Sequence, residues 1–246
     1  MDLTGRVALI TSGKRIGAVV ATTLAQAGAD IALTFNRSRP EADRTAAAVR
    51  AFGRRATVIQ ADVRQAADCE RVVTATASEL GRLDIVINMA GLYPNTPFAE
   101  LTVDEWDQQM AVDLRASFLV SKAAVPIMKA HGGGRIINFS DWLSVSERPR
   151  YPGYLTYYVA KTGVKALTEA MALELAADQI LVNAIAPGPI LAAPEMSADQ
   201  HAAVEKATPL GRWGGEAEIA KAVMFLVESD FVTGETIRVD GGRHLR

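Results

Sequence analysis

Short β-branched runs alternate with longer, alanine-rich amphipathic segments along almost the whole chain, and this alternation limits the fold more than any other feature. Val7-Ala8-Leu9-Ile10-Thr11 precedes a helical pattern from about Ile16 to Gly28, and Asp30-Ile31-Ala32-Leu33-Thr34-Phe35 follows. The series continues with a helix within Glu41–Phe52, a strand over Ala56–Ala61, a helix within Ala66–Leu80 and a strand over Asp84–Asn88. Thr102-Val103-Asp104-Glu105 has capping-box spacing and opens a long helix towards Ala130. A strand at Arg135–Phe139, a helix around Thr156–Ala177, a strand at Leu181–Ala186, a helix near Glu216–Glu228 and a strand at Thr236–Val239 complete it. Strands that are apolar along their length are buried on both faces, so the sheet is parallel and covered by helices on each side. Right-handed crossovers make it a doubly wound α/β fold, which binds ligands at the carboxyl ends of its strands.

No internal repeat or linker interrupts the 246 residues, so one domain over 1–246 is expected. The least regular stretches, Asp141–Gly153 and Pro187–Pro209, both follow strands and should border the crevice. A net charge of −2 gives no electrostatic case for nucleic acid or an anionic membrane surface. The single Cys69 excludes an internal disulfide. Neither a signal-peptide pattern nor an apolar run of membrane-spanning length is present, so a cytoplasmic location is expected.

Three groups of residues carry chemistry. "TSGKRIG", Thr11 to Gly17, joins the first strand to the first helix; Gly13 and Gly17 let backbone approach a pyrophosphate at the helix N-terminus, with Arg15 and Ile16 between them. The second strand ends in Asn36-Arg37-Ser38, where an acidic residue would suit the ribose of NAD and an Arg suits the 2′-phosphate of NADP; Arg15 could supply a second cation. Tyr157 and Lys161, four apart on a helix, share a face, and an ammonium near a phenol favours its ionised form. An aromatic and a solvated lysine at that spacing are also common on any helix. His131, His201 and His244 lack metal-ligand spacing, so no metal site is expected. Ser140 has neither an elbow motif nor a histidine near it in sequence.

Taken together, these residues resemble the short-chain dehydrogenase/reductase family over essentially the whole chain. The glycine loop, Asn88-x-Ala90-Gly91, Tyr157-x-x-x-Lys161, Asn183-x-x-x-Pro187-Gly188 and Val239-Asp240-Gly241-Gly242 fall in the family's order. The resemblance implies a Rossmann-type dinucleotide-binding and catalytic domain, with Tyr157 as general acid and Lys161 holding the nicotinamide ribose. Asp62 and Val63 would lie along the adenine, Asn88 would steady the cofactor, and Pro187, Gly188 and Ile190 would pack against the nicotinamide. It also implies a homo-oligomer, a tetramer or dimer, in which the long helices pair through faces bearing Ala160, Ala166, Ala170 and Ala172; contacts inside one monomer explain those alanines equally well.

The chain departs from the family pattern at three places. Its glycine loop is one residue short, with Arg15 at the middle glycine's place; Asp113 stands where the family has an active-site asparagine; and Asp141 stands where it has the catalytic serine. An aspartate there, the Arg in the loop and "FNRS" after the second strand are similar to pteridine reductases within the family, which also place an aromatic ring where Tyr93 stands. An ionised Asp141 accepts from ring N–H groups but cannot donate to a carbonyl oxygen. Alternatively, Asp141 caps a loop and Ser140 or Ser144 serves a carbonyl. The expected activity is therefore NADPH-dependent reduction of a pterin-like C=N bond, with Tyr93 and Asp141 contacting substrate. The alternatives are a 3-oxoacyl-(acyl carrier protein) or other carbonyl reductase and, from another class, a non-catalytic NADP-sensing protein. The physiological substrate is not legible at this level.

Overall fold

The computed structural model describes residues 1–146, 149–193 and 196–246. Seven strands form one sheet in the order β3-β2-β1-β4-β5-β6-β7, every neighbouring pair parallel. They are β1 (Val7–Ile10), β2 (Asp30–Phe35), β3 (Ala56–Gln60), β4 (Ile85–Asn88), β5 (Gly134–Phe139), β6 (Ile180–Pro187) and β7 (Thr236–Val239). The helices are α1 (Ile16–Gln26), α2 (Arg39–Ala51), α3 (Ala66–Leu80), α4 (Val103–Met110), α5 (Ala116–Ala130), α6 (Leu155–Leu175), α7 (Ala198–Ala207) and α8 (Glu216–Glu228). The order reverses between β1 and β4, and the crevice opens there, above the carboxyl ends of the strands.

Alternation within each strand builds the two cores. Ala8 and Ile10 of β1, Ile31 and Leu33 of β2 and Ile85 and Ile87 of β4 face α1, α2 and α8, meeting Leu24, Val49 and Val223. Val7 and Leu9, Ala32 and Val86 point the opposite way, towards Val72, Val120 and Met128 of α3 and α5. Every residue of β1, β2, β4 and β5 is buried, as expected for parallel strands covered on both faces.

Two expectations are corrected. The long helix towards Ala130 is broken: α4 and α5 are separated by a π-helical segment, Ala111–Arg115, which the hydrophobic pattern runs through without change. The stretch Pro187–Pro209 is not loose throughout, because it contains α7. Ser197 and Gln200 form a capping box, Gln200 N donating to Ser197 Oγ at 3.3 Å and Ser197 N to Gln200 Oε1 at 2.9 Å. The alanines of α6 divide as well: Ala160 and Ala172 are buried inside the monomer, whereas Ala166 and Ala170 are exposed. Among the described residues no helix is long and apolar enough to cross a membrane.

At the opposite edge from the crevice, Asp84 locks β1 to β4. It is fully buried and accepts from Val7 N at 2.9 Å, Arg6 Nη1 at 2.9 Å and Arg82 Nη2 at 2.6 Å. Asp84→Ala leaves the buried Val7 amide unpaired and two guanidinium groups, each about a third exposed, to hydrate, and should lower the unfolding free energy by about 1–3 kcal/mol in urea titrations. A loss below about 1 kcal/mol would show that the clamp is solvent-compensated.

Candidate active site

The crevice begins at the glycine loop. A cleft of about 500 Å³ runs across the ends of β1 to β4, within the roughly 300–1,000 Å³ range of ligand pockets. Thr11 to Lys14, Asn36 to Ser38, Ala61 to Arg64 and Met89 to Leu92 line it. Gly13 and Gly17 are required by contact: a Cβ would stand 2.8 Å from Ala42 Cβ and 2.7 Å from Ser12 O respectively. Thr11 Oγ1 accepts from Met89 N at 2.8 Å and Ala90 N at 3.0 Å, so the floor between β1 and β4 is tied shut. Lys14 and Arg37 line the cleft and bring positive charge that suits a dinucleotide's phosphates, while the first-turn amides of α1 are turned inward, Gly17 N donating to Lys14 O and Ala18 N to Arg15 O, each at 3.0 Å.

The expected cofactor residues divide by position. Gly13, Asn36, Arg37, Ser38, Asp62, Val63, Ala90 and Gly91 line the cleft. Arg15 takes φ +51° as the N-cap of α1 and lines a neighbouring groove between α1 and α2, with Glu41 and Arg44. Asn88 lies beneath the floor, where its Nδ2 donates to Asn138 Oδ1 at 2.9 Å and Ser121 Oγ at 3.1 Å. Ile190 is buried in the core, while the Pro187 carbonyl accepts from Trp142 N at 3.2 Å, joining the end of β6 to the loop after β5. Sequence reasoning passed over Lys14, whose Nζ donates to Ser38 Oγ at 3.1 Å, and Arg64, which chelates Asp62 through Nε at 2.9 Å and Nη2 at 2.6 Å. The guanidinium of Arg64 holds the Asp62 carboxyl below the ordinary range, outweighing the partial burial. The basic character of Lys14 in the glycine loop was the available signal.

At the end of β5 the chain brings Asp141, Tyr157, Lys161 and Asp113 together. Tyr157, in the first turn of α6, donates from its hydroxyl to Asp141 Oδ2 at 2.9 Å. Asp141 Oδ1 accepts from Leu143 N at 2.8 Å, which orients the carboxylate. Lys161 Nζ, one turn along, donates to Phe139 O at 2.9 Å and stands 3.0 Å from Asp113 Oδ1. Burial raises Asp141 to about 6, opposed by the Leu143 amide and the Tyr157 hydroxyl. Burial, followed by the Asp141 charge, pushes Tyr157 well above an ordinary phenol. Burial also raises Asp113, against the pull of Lys161.

The serines are occupied elsewhere. Ser140 is buried and donates to Lys161 O at 2.9 Å; Ser144 is buried, its hydroxyl oxygen 2.6 Å from Ser140 Oγ and 2.7 Å from Asp141 O. Tyr93 rises over the site, stacked on Tyr154 with centroids 4.7 Å apart and edge-on to Tyr157 at 4.7 Å. Loops 93–96 and 151–154 are also joined by Thr96 N to Gly153 O at 2.8 Å, so Tyr93 and Tyr154 form one wall.

Residues 10–244 match the family model described as enoyl-(acyl carrier protein) reductase. An uncharacterized oxidoreductase of Escherichia coli K12 is 38% identical, covering 96% of this chain and 95% of that protein. A 3-oxoacyl-(acyl carrier protein) reductase of Synechocystis is 34% identical over 98% and 97% of the two chains. The solved short-chain dehydrogenase/reductase of Serratia marcescens superposes with a TM-score of 0.92 at 32% identity, covering 99% of this chain and all of that one.

The Asp141 environment is open to direct titration by carbon-13 carboxyl shifts. A midpoint of about 6 is expected in the parent. Tyr157→Phe removes a hydrogen bond to the ionised form, so its midpoint should rise further. A parent midpoint near the ordinary carboxylate value of about 4 would contradict the buried geometry.

Proposed function

The chain belongs to the short-chain dehydrogenase/reductase family, whose members use a nicotinamide cofactor, and on that footing we propose that it is an NADPH-dependent reductase of a pterin-like C=N bond. The observation that carries the reading is the Tyr157 hydroxyl donating to Asp141 Oδ2 at 2.9 Å. In this state the acidic proton is committed to a carboxylate in the serine's place. A ketone oxygen brought to Tyr157 would meet that carboxylate as a second acceptor, which when ionised cannot donate to it. A ring presenting an N–H or exocyclic amine beside its C=N bond fits both groups. The donor replaces Tyr157 at Asp141, and the released hydroxyl turns to the ring nitrogen.

The bound nicotinamide supplies the hydride. Tyr157 supplies the proton at its hydroxyl, Asp141 orients the ring through its N–H groups, and Tyr93 backed by Tyr154 offers an aromatic face for stacking. Arg37 and Lys14 beside Ser38, with no acidic residue at the end of β2, support NADPH over NADH. Exposed Ala166 and Ala170 on α6 support helix pairing in a homo-oligomer. A second reading, a 3-oxoacyl thioester or other carbonyl reductase, is favoured by the full-length similarity to the Synechocystis enzyme.

NADPH consumption with dihydrobiopterin and with a small diketone separates the two readings. Tyr157→Phe should lower turnover by roughly 10²–10⁴-fold and leave NADPH binding nearly intact. Arg37→Asp should weaken NADPH and affect NADH far less. Asp141→Ser exchanges a charged acceptor for a donor, and should shift the kcat/KM ratio from dihydrobiopterin towards the diketone by roughly ten- to a hundred-fold. A parent inert to pterins, with a ratio that Asp141→Ser leaves unchanged, would hand the site to the carbonyl reductase reading.

A further inference from the structure

We propose that Gln109 is a positioning residue for the reaction: it fixes the Asp113 carboxylate against Lys161, so that the lysine works within a neutral pair and not as an uncompensated cation near Tyr157. The proposal rests on the acid role given to Tyr157 above.

The contacts converge on one carboxylate. Gln109 is 1% exposed, and its Nε2 donates to Asp113 Oδ2 at 2.6 Å and to Leu92 O at 3.2 Å. Leu92 N donates to the same Oδ2 at 3.1 Å. The other oxygen, Oδ1, faces Lys161 Nζ at 3.0 Å. The π-helical segment beginning at Ala111 carries Asp113 into this position, one turn beyond Gln109 on α4. The loop after β4 closes over it, since a Cβ on Gly91 would stand 2.9 Å from Asp113 Oδ1. A buried glutamine that spends its amide protons on a carboxylate and on the loop carrying Tyr93 is placed to set both.

The electrostatic consequence follows from who faces Tyr157. Asp141 approaches from the loop after β5, Lys161 from α6 itself, Asp113 from the π-helical segment and Tyr93 from the loop after β4. Lys161 Nζ is 5.7 Å from the Tyr157 ring centroid, where an uncompensated ammonium would favour the phenolate. A carboxylate at 3.0 Å cancels most of that field, and Asp141 adds a charge of the opposite sign. The phenol therefore holds its proton more tightly than Lys161 alone would allow, so the Gln109–Asp113 contact sets the strength of the acid. An asparagine at this position would leave the ammonium uncompensated. Loss of the Gln109 amide favours protonation of Asp113 and pushes the same way.

The test is the phenolate absorbance of Tyr157 against pH, taken as the difference between each protein and the same protein carrying Tyr157→Phe. Asp113→Asn should move the Tyr157 midpoint down by roughly 1–3 pH units. Gln109→Met, close in volume, should move it the same way by less, and in the double variant should add nothing to Asp113→Asn. The alkaline limb of kcat, where the acid is lost, should move down with the midpoint. A merely structural Gln109 would lower the melting temperature or the rate at every pH and leave the midpoint in place, which overturns the proposal; so does an unmoved midpoint in Asp113→Asn. If Gln109→Met fails to fold, Gln109→Asn shortens the amide's reach and carries the same two outcomes. The titration needs no turnover, so an enzyme inert to pterins sinks the substrate reading and leaves this one standing.

Discussion

Two reciprocal hydrogen bonds between α6 and the end of β5 are what the rest of the site depends on. Lys161 Nζ donates to the Phe139 carbonyl at 2.9 Å, and the Ser140 hydroxyl donates back to the Lys161 carbonyl at 2.9 Å. Both are buried, so each contributes more than a solvent-exposed bond of the same length. Together they fix the rotation of α6 against the sheet. With that rotation set, Tyr157 is presented to the loop that follows Ser140, where Asp141 accepts from its hydroxyl. Ser140 thus shapes the site from behind while its own hydroxyl points away from the crevice.

The charge arrangement follows from this geometry. Two carboxylates, Asp113 and Asp141, flank one ammonium and one phenol. Asp113 is held against the cation by Gln109 and the Leu92 amide, and Asp141 is held towards the phenol by the Leu143 amide. The two acids therefore have different tasks although desolvation raises both, Asp113 buried and Asp141 half-buried. One compensates Lys161; the other accepts from the Tyr157 hydroxyl. Tyr93 and Tyr154 add a flat apolar wall beside a polar edge, a combination suited to a heteroaromatic ring.

Much of this was legible in the sequence because the strands are uniformly apolar and the motifs occur in fixed order. The bounds of α3, α8 and β7 follow directly from pattern. The π-helical break was not legible, since Val112 and Ala116 continue the apolar stripe, and the only hint is the polar pair Gln109 and Asp113 placed where a core is expected. Helix α7 was readable from Ser197-x-x-Gln200 and was missed under the Pro residues around it. Spacing put Asp141 and Tyr157 near one another, but whether Asp141, Ser140 or Ser144 faces the phenol depends on how the loop turns. Asp141 does so through its own Asx-type bond to Leu143, a tertiary outcome of local chemistry. Arg15 shows the reverse limit: its place in the glycine loop was clear, and the direction of its side chain, set by φ +51°, was not.

The claim that Asp141 is the acceptor for substrate N–H groups is tested most directly by equilibrium binding of a 2,4-diaminopteridine to the NADPH-loaded enzyme, in the parent and in Asp141→Asn. If the carboxylate takes the ring's donors, the variant should bind roughly ten- to a hundred-fold more weakly, the value of a charge-assisted hydrogen bond. Equal affinity in the two proteins would mean that Asp141 serves only its loop and Tyr157, and the account of the site would have to be rebuilt without it.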